Sequence, residues 1–313
     1  MHAAVLRYFV VVARAGSIRK ASEELHVASS AVSRQIQKLE DELGTPLFER
    51  LPNGLRLTQA GIVTLRHAKA TLEDFEFLKS EIGALGGKNT GTVKIAALDS
   101  LLVHFLPEQV MAFHQQNPDV DFRVHGGSHI RVTDLVANGE ADFAATFGLD
   151  FPEDTEFVHD VPMPLMAMVA ADHPLGKKES VSLTDCADYN LLLHMDSTPT
   201  RFLIDVELSV FERTGRTLVT SNSLNMLRSM VLMDAGIAFY TPIGMIDEMR
   251  AGTIVGIPLR GSKLDSLRLG ILVPRRRRLT HAAEAMIDQL GQALKDLDVT
   301  WNSPSWKARW KSA

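Results

Sequence analysis

Leu6, Phe9, Val10 and Ala13 recur at the three- and four-residue spacings that share one helical face, and Gly16-Ser17 then supplies a stop followed by an N-cap. After Ser17, Ile18, Ala21 and Leu25 predict a short second helix ending near His26, with a turn around Val27 and Ala28. A third helix is expected to open at Ser29 or Ser30, to bury Val32, Ile36, Leu39 and Leu43, and to end at Gly44 and Pro46. Its other face carries Ser30, Ser33, Arg34, Gln37 and Lys38. Residues 47–57 read as two short runs around Pro52-Asn53-Gly54, a hairpin with Arg50 and Arg56 on its arms. Three short helices followed by a hairpin wing describe a winged helix-turn-helix, in which one helix enters the major groove of DNA.

Thr58 can cap the next helix, whose Leu65, Ala68, Leu72, Phe75 and Ile82 recur at heptad-like intervals until residues 86–91 break it. A stripe with so few neighbours in its own chain predicts pairing with the same helix of a second subunit, although part of it can pack on the first three helices. From Thr92 onward strands alternate with helices. Strands are expected at 93–98, 120–124 and 141–146, helices at 102–115 and 131–138. A second such unit begins near 165–170, continues with a strand at 190–194, a helix at 200–214 and a segment at 236–240, and returns near 267–273. A final helix at 280–295 packs back on the first unit. This α/β pattern predicts largely parallel sheets in two lobes, with a cleft where the chain crosses twice between them.

Composition is that of a soluble globular chain, 45% hydrophobic and 23% charged over 313 residues. The net charge of −5 is uneven. Residues 1–60 hold 8 Lys/Arg against 6 Asp/Glu, whereas residues 91–313 hold 21 against 28. The cationic surplus therefore lies with the helix-turn-helix, where clustered charge is what phosphates sense. No apolar run is long enough to span a bilayer and no signal-peptide pattern opens the chain, so a cytoplasmic protein is expected. One cysteine, Cys186, cannot make an intrachain disulfide, and the eleven histidines show no metal-ligand spacing. The absence of G-x-S-x-G, phosphate-loop and dinucleotide patterns points away from an enzyme. Arg275 to Arg278 reads as a solvated charge run.

The N-terminal residues Phe9-x3-Ala13-x2-Gly16-Ser17, Ala21-Ser22-x2-Leu25, Ser30-Ala31-Val32-Ser33-x2-Ile36-x2-Leu39-Glu40-x2-Leu43-Gly44 and Leu47-Phe48-x-Arg50-x3-Gly54-x2-Leu57-Thr58-x-Ala60-Gly61 resemble the LysR-type transcriptional regulators. Gly91-Thr92-Val93, Leu106-Pro107, Asn117-Pro118-x-Val120, Leu135 and Gly139-x2-Ala141-Asp142 extend the likeness to about residue 297. The chain departs from the family pattern at Ala28-Ser29, where many members have Ser or Thr and then Gln, and in a Trp-containing tail.

The resemblance implies an α+β protein overall: a winged helix-turn-helix over 1–58, a linker helix over 59–90, and a two-lobed α/β domain over 91–298 like the type 2 periplasmic binding proteins. Lobe 1 would take about 91–164 and 269–298, lobe 2 about 165–268, with 299–313 a tail. It further implies double-stranded DNA as partner, a homodimer through the linker helix with a homotetramer as the favoured assembly and the choice between dimer and tetramer left open, RNA polymerase as a candidate partner, and no cofactor beyond a small-molecule effector such as a small organic acid or amino acid. A solute-binding protein of the transport type is built alike in its two lobes, but leaves residues 1–90 unexplained.

Base and phosphate contact is expected from Ser29, Ser30, Ser33 and Arg34, with Gln37 and Lys38 on phosphate. Arg50 and Arg56 are placed to grip the flanking backbone, Arg56 the better placed and Arg50 a candidate ion-pair partner for a nearby glutamate. In the other half, Asp99-Ser100 and Ser128-His129 follow strands and open helices, Thr146-Phe147 ends a third strand, and Ser197, Thr198, Thr200 and Arg201 open a helix of the second lobe. Asn222 and Tyr240 complete the expected effector rim, and Arg201 is the candidate countercharge to a carboxylate. Taken alone, each of these serines or threonines is more often a simple N-cap, and only the convergence of several at strand ends raises the functional reading.

Overall fold

Phe9, Val12, Val32, Leu39 and Leu47 are fully shielded from solvent, and their burial gathers three helices and a hairpin in the computed structural model. Each such side chain contributes roughly 1.5–3 kcal/mol. The model describes residues 3–52, 54–86, 88–195, 216–260 and 267–301, which divide into two units, Met1–Gly87 and Lys88–Ala313. In the first, α1 (Ala3–Ala15) is followed by α2 (Ile18–Leu25), whose Ser17 cap accepts from Lys20 N, and by α3 (Ser29–Leu43). Gly44 ends α3 at φ 67°, the left-handed conformation that suits glycine at a helix terminus. Strands β1 (Phe48–Leu51) and β2 (Gly54–Leu57) form the wing with Glu49 opposite Arg56 and Arg50 opposite Leu55. Gly54 is required there: its φ is 138°, a Cβ would lie 2.5 Å from the Gly16 carbonyl oxygen, and Leu55 N donates to that same oxygen at 2.7 Å.

Helix α4 (Gln59–Leu85) starts from a Thr58 cap whose Oγ1 accepts from Gly61 N at 2.9 Å. The expected stripe divides in two. Leu65, Ala68 and Leu72 pack on the helix-turn-helix core, whereas Phe75, Leu78, Ile82 and Leu85 are exposed at a 3-4-3 spacing.

The second unit holds two five-stranded sheets. Strand β3 (Gly91–Leu98) leads through α5 (Asp99–Leu102) and α6 (Phe105–Gln116) to β4 (Val120–Gly127), then through α7 (His129–Ala137) to β5 (Phe143–Phe147) and β6 (Thr155–Pro162). The chain crosses to β7 (Met166–Ala170), passes a short α8 (Leu183–Cys186), and continues with β8 (Leu191–His194), β9 (Thr217–Ser221), α9 (Leu224–Leu232), β10 (Ile237–Tyr240), a 3₁₀ turn (Pro242–Met245), α10 (Ile246–Arg250) and β11 (Ile254–Pro258). It returns as β12 (Arg268–Pro274) and α11 (His281–Trp301). Strand orders are β4-β3-β5-β12-β6 in the first lobe and β11-β7-β10-β8-β9 in the second.

The sheets are mixed rather than largely parallel. In each, two neighbouring pairs are parallel and two antiparallel, because only β12 and β7, each made just after a crossing between the lobes, run against the βα-connected strands, while the edge strands β6 and β11 pair antiparallel with them and so run with the βα-connected ones. The helix expected at 102–115 is two helices. A continuous helix would drive the Pro107 ring into the Val103 carbonyl, so α6 restarts from His104 and places Pro107 in its first turn, where no N–H is needed. Arg277 is not part of a solvated run: its half-hidden guanidinium donates to the Ala141 and Asp142 carbonyls, while the Asp142 carboxylate accepts from Lys94 N at 2.8 Å. The helix expected at 200–214 lies outside the described residues, as does most of the tail.

Candidate functional site

The exposed face of α3 carries Ser30, Arg34, Gln37 and Lys38, with Ser33 half-buried beside them. Arg34 Nε reaches back to the Ser30 carbonyl at 3.4 Å, which draws the guanidinium toward the start of the helix. Ala28, the N-cap residue, has no side chain to accept from the first turn, so that end keeps donors for a phosphate. Ser29, also exposed, spends its hydroxyl within the fold. Ser22 Oγ donates its only hydrogen to the Arg19 carbonyl at 2.7 Å, so Ser29 Oγ must donate to Ser22 Oγ, also at 2.7 Å, tying α2 to α3.

The wing reverses the expected roles of its two arginines. Arg56 is the one in an ion pair, with Nη2 2.7 Å and Nε 3.1 Å from Glu49 Oε2 across the hairpin. Arg50 points to the other face, is exposed, and has no ion pair among the described residues. A shallow groove of about 610 Å³ between α3 and the wing is lined by Ser33, Gln37 and Arg50, without Arg56. The part missed in the sequence is Glu40. Its Oε1 accepts from Leu47 N at 2.7 Å and Phe48 N at 3.2 Å, clamping the start of the wing to the recognition helix. Its place seven residues before Leu47 carries no local signal.

In the second unit a cleft of about 130 Å³ lies between the two sheets. The first lobe contributes Leu98, Asp99, Ser100, Gly127, Ser128, His129, Phe147 and Leu149; the second contributes Leu165, Leu192, Leu193, His194, Leu224, Phe239, Tyr240, Thr241 and Leu267. At 10–15 Å³ per water-sized group, this volume takes about ten non-hydrogen atoms. Seven leucines and three aromatic side chains make it an apolar slot with a few polar points. Among the described residues, Asp99 is the only carboxylate on its wall, and no lysine or arginine lines it.

Of the residues expected there, Asp99, Ser100, Ser128, His129, Phe147 and Tyr240 are brought together. Ser128 opens α7 without capping it, so its hydroxyl is not consumed by the helix. His129 offers a ring but no polar atom. Its Nε2 faces the Asp150 carbonyl at 2.9 Å and must donate, and its Nδ1 meets Thr146 Oγ1 at 2.9 Å. Thr146 is wholly buried behind that ring and does not reach the cleft. Asn222 is exposed and lies off the cleft, beyond the end of β9. Ser197, Thr198, Thr200 and Arg201 lie outside the described residues. His194 and Thr241, at the ends of β8 and β10, were missed although strand-end position could have found them; their leucine neighbours read only as core.

Two family models match the chain. Residues 4–62 match "Bacterial regulatory helix-turn-helix protein, lysR family", and residues 86–295 match "LysR substrate binding domain". A probable RuBisCO transcriptional regulator of Trichormus variabilis is 28% identical over 291 residues, covering 91% of this chain and 86% of that protein. The DNA-binding transcriptional dual regulator OxyR of Escherichia coli is 27% identical over 259 residues, covering 81% and 83%. A full-length OxyR variant from Pseudomonas aeruginosa superposes with a TM-score of 0.67 at 24% identity, covering 94% and 95% of the two chains.

Proposed function

Because the chain belongs to the LysR family of transcriptional regulators, with a helix-turn-helix for DNA and a substrate-binding domain for a small molecule, we propose how each half of that activity is carried by its residues. Residues 1–58 bind DNA: Ser30, Ser33 and Arg34 reach base edges, and Gln37, Lys38 and Arg50 hold the flanking phosphates. Residues 59–90 link and dimerise the subunits through the Phe75, Leu78, Ile82 and Leu85 stripe, whose heptad spacing suits a second copy of the same helix.

The domain at 91–298 holds a compact effector of about ten non-hydrogen atoms, with an apolar body against the leucines and one polar head between Ser100 and Ser128. The leucine-lined cleft with an uncommitted Ser128 hydroxyl is the observation that carries this reading. Ligand becomes signal through a difference in affinity for two lobe arrangements.

The test is a thermal-shift panel on the full chain, setting monocyclic and branched apolar compounds with a single hydroxyl or carboxyl head against small hydrophilic acids and polar amino acids. Apolar members are expected to stabilise by RT ln(1 + [L]/Kd), about 2.7 kcal/mol at a hundredfold excess over Kd. Ser100→Ala and Ser128→Ala should weaken that shift while leaving DNA binding intact. Stabilisation by the hydrophilic acids alone would refute the assignment.

A further inference from the structure

The two lobes meet a second time behind the cleft, through charged side chains rather than leucines. His104, at the start of α6 in the first lobe, places Nδ1 2.6 Å from Asp247 Oδ2 on α10 of the second. Its Nε2 lies 3.8 Å from Glu248 Oε2. Both of those latter atoms are buried and neither has a hydrogen bond among the described residues. The gap is too short for a water on the line between them, which needs about 4.5 Å for two hydrogen bonds, and too long for a direct bond.

Glu248 is held in place from its other oxygen, where Arg228 of α9 donates at 2.7 Å. Arg250 of α10 lies 3.4 Å from Asp247 and 4.0 Å from Glu108 of α6, which completes the charged groups around the imidazole. The cluster adjoins the cleft. His104 stands four residues after Ser100 and Arg228 four after Leu224, and the 3₁₀ turn of the second lobe packs against Ser100 at Gly244.

The protonation state of His104 decides what the gap can do. The 2.6 Å contact with a carboxylate makes Nδ1 the donor, so in neutral imidazole Nε2 carries a lone pair that faces the Glu248 carboxylate and resists approach. An added proton turns Nε2 into a donor, and about 1 Å of lobe approach then makes a charge-assisted bond between two buried atoms that lack one. We propose that His104, Asp247 and Glu248 form a proton-operated latch between the lobes, so that a proton taken up at His104 closes the domain and acts as a co-ligand with the effector. The latch rests on the proposed effector cleft for its consequence, since closure is what ligand would share with it, but its operation requires no effector.

Histidine is the side chain whose charge ordinarily changes between about pH 5 and 8. The test uses the full chain without any small molecule, spin-labelled at Ile130→Cys and Met195→Cys, two exposed positions flanking the cleft on opposite lobes, and diluted with unlabelled protein. Cys186 is buried and stays unlabelled. Pulsed electron resonance should show the interlobe distance population moving to shorter values between pH 8 and pH 6, the closed-to-open ratio rising by at most about tenfold per pH unit for one proton. His104→Gln should abolish that movement.

Glu248→Gln keeps the acceptor for Arg228 and gives an amide donor to the Nε2 lone pair, so it should be closed at both pH values; it decides the matter if His104→Gln does not fold. Burial depresses the pKa of His173 against the partial opposition of Asp234, so acid also acts on the second lobe there, an effect that the His104→Gln protein retains and so controls for. A wild-type distance that ignores pH, a shift that survives His104→Gln, or a Glu248→Gln protein that still titrates would overturn the latch. A working latch with no stabiliser in the thermal-shift panel would remove the effector reading alone; a flat latch with a stabiliser found would remove the latch alone.

Discussion

Replacing Glu40 separates what positions the wing from what touches DNA. Glu40 Oε1 accepts from Leu47 N at 2.7 Å and from Phe48 N at 3.2 Å, and Leu47 is fully buried, so its amide has no water to turn to when the carboxylate is removed. A hydrogen bond to a charged acceptor contributes about 1.5–3 kcal/mol, and the longer second one adds about a third of that, so Glu40→Ala should cost the wing roughly 2–4 kcal/mol. Glu40→Gln keeps a neutral acceptor and should cost about 1 kcal/mol. Hydrogen exchange over residues 45–57 of the full chain reads this directly: exchange should rise roughly 30- to 1000-fold in the alanine variant and several-fold in the glutamine one. DNA affinity should fall with the same ranking, because Arg50 rides on the loosened strand. Wild-type exchange in Glu40→Ala, or a glutamine variant as loose as the alanine one, would refute the reasoning.

Arg50→Ala should weaken DNA binding and lower the slope of log affinity against log salt by about 1, whereas Arg56→Ala, whose side chain already pairs with Glu49, should change the slope by less than half as much; anisotropy titrations between 50 and 200 mM salt decide, and the reverse ranking sinks the assignment. Ile82→Asp with Leu78→Asp should shift the sedimenting species to a smaller assembly, and an unchanged assembly would remove the exposed stripe from the subunit contact. The Asp185 carboxyl is held at about 2 by the backbone N–H and hydroxyl of Ser182 and by Lys178. A folded-state pKa below the unfolded one adds stability above about pH 4 that is lost as pH falls toward 2. After discounting for solvent screening, Asp185→Asn should therefore cost roughly 1 kcal/mol at pH 7 in urea titrations and only a small part of that at pH 2; a constant difference would be inconsistent with the shift.

The helix-turn-helix was readable because its signals are local. Ser17, Gly44 and Gly54 mark ends within a few residues of what they end, and Val32, Ile36 and Leu39 repeat within one helix. What sequence reasoning misjudged there depends on cross-strand register. Only the pairing of Glu49 with Arg56 shows which of two arginines is occupied. In the second unit, β6 and β9 escaped notice because neither shows clean alternation; β9 lies at a sheet edge and β6 carries its polar residues half-buried. The cleft was found at its polar corners, Ser100 and Ser128, since strand-to-helix junctions are visible in a sequence. Its apolar wall was not, because Leu192, Leu193 and Leu224 are buried and spaced as core residues are, and line the cleft in addition to packing in the core.

That double role bears on how far a relative's chemistry carries over. The fold rests on core positions and caps, whereas the ligand is selected by side chains converging from segments far apart in sequence. A thiol-based response to an oxidant illustrates the point. Thiol chemistry with peroxide needs an accessible thiolate, and this chain has a single cysteine, Cys186, packed in the second-lobe core. Burial, reinforced by the neighbouring Asp185 charge, pushes its thiol up to about 12, which leaves on the order of 10⁻⁵ of it ionised at neutral pH. The proposed cleft and latch, rather than this thiol, are therefore the sites to test for the signal.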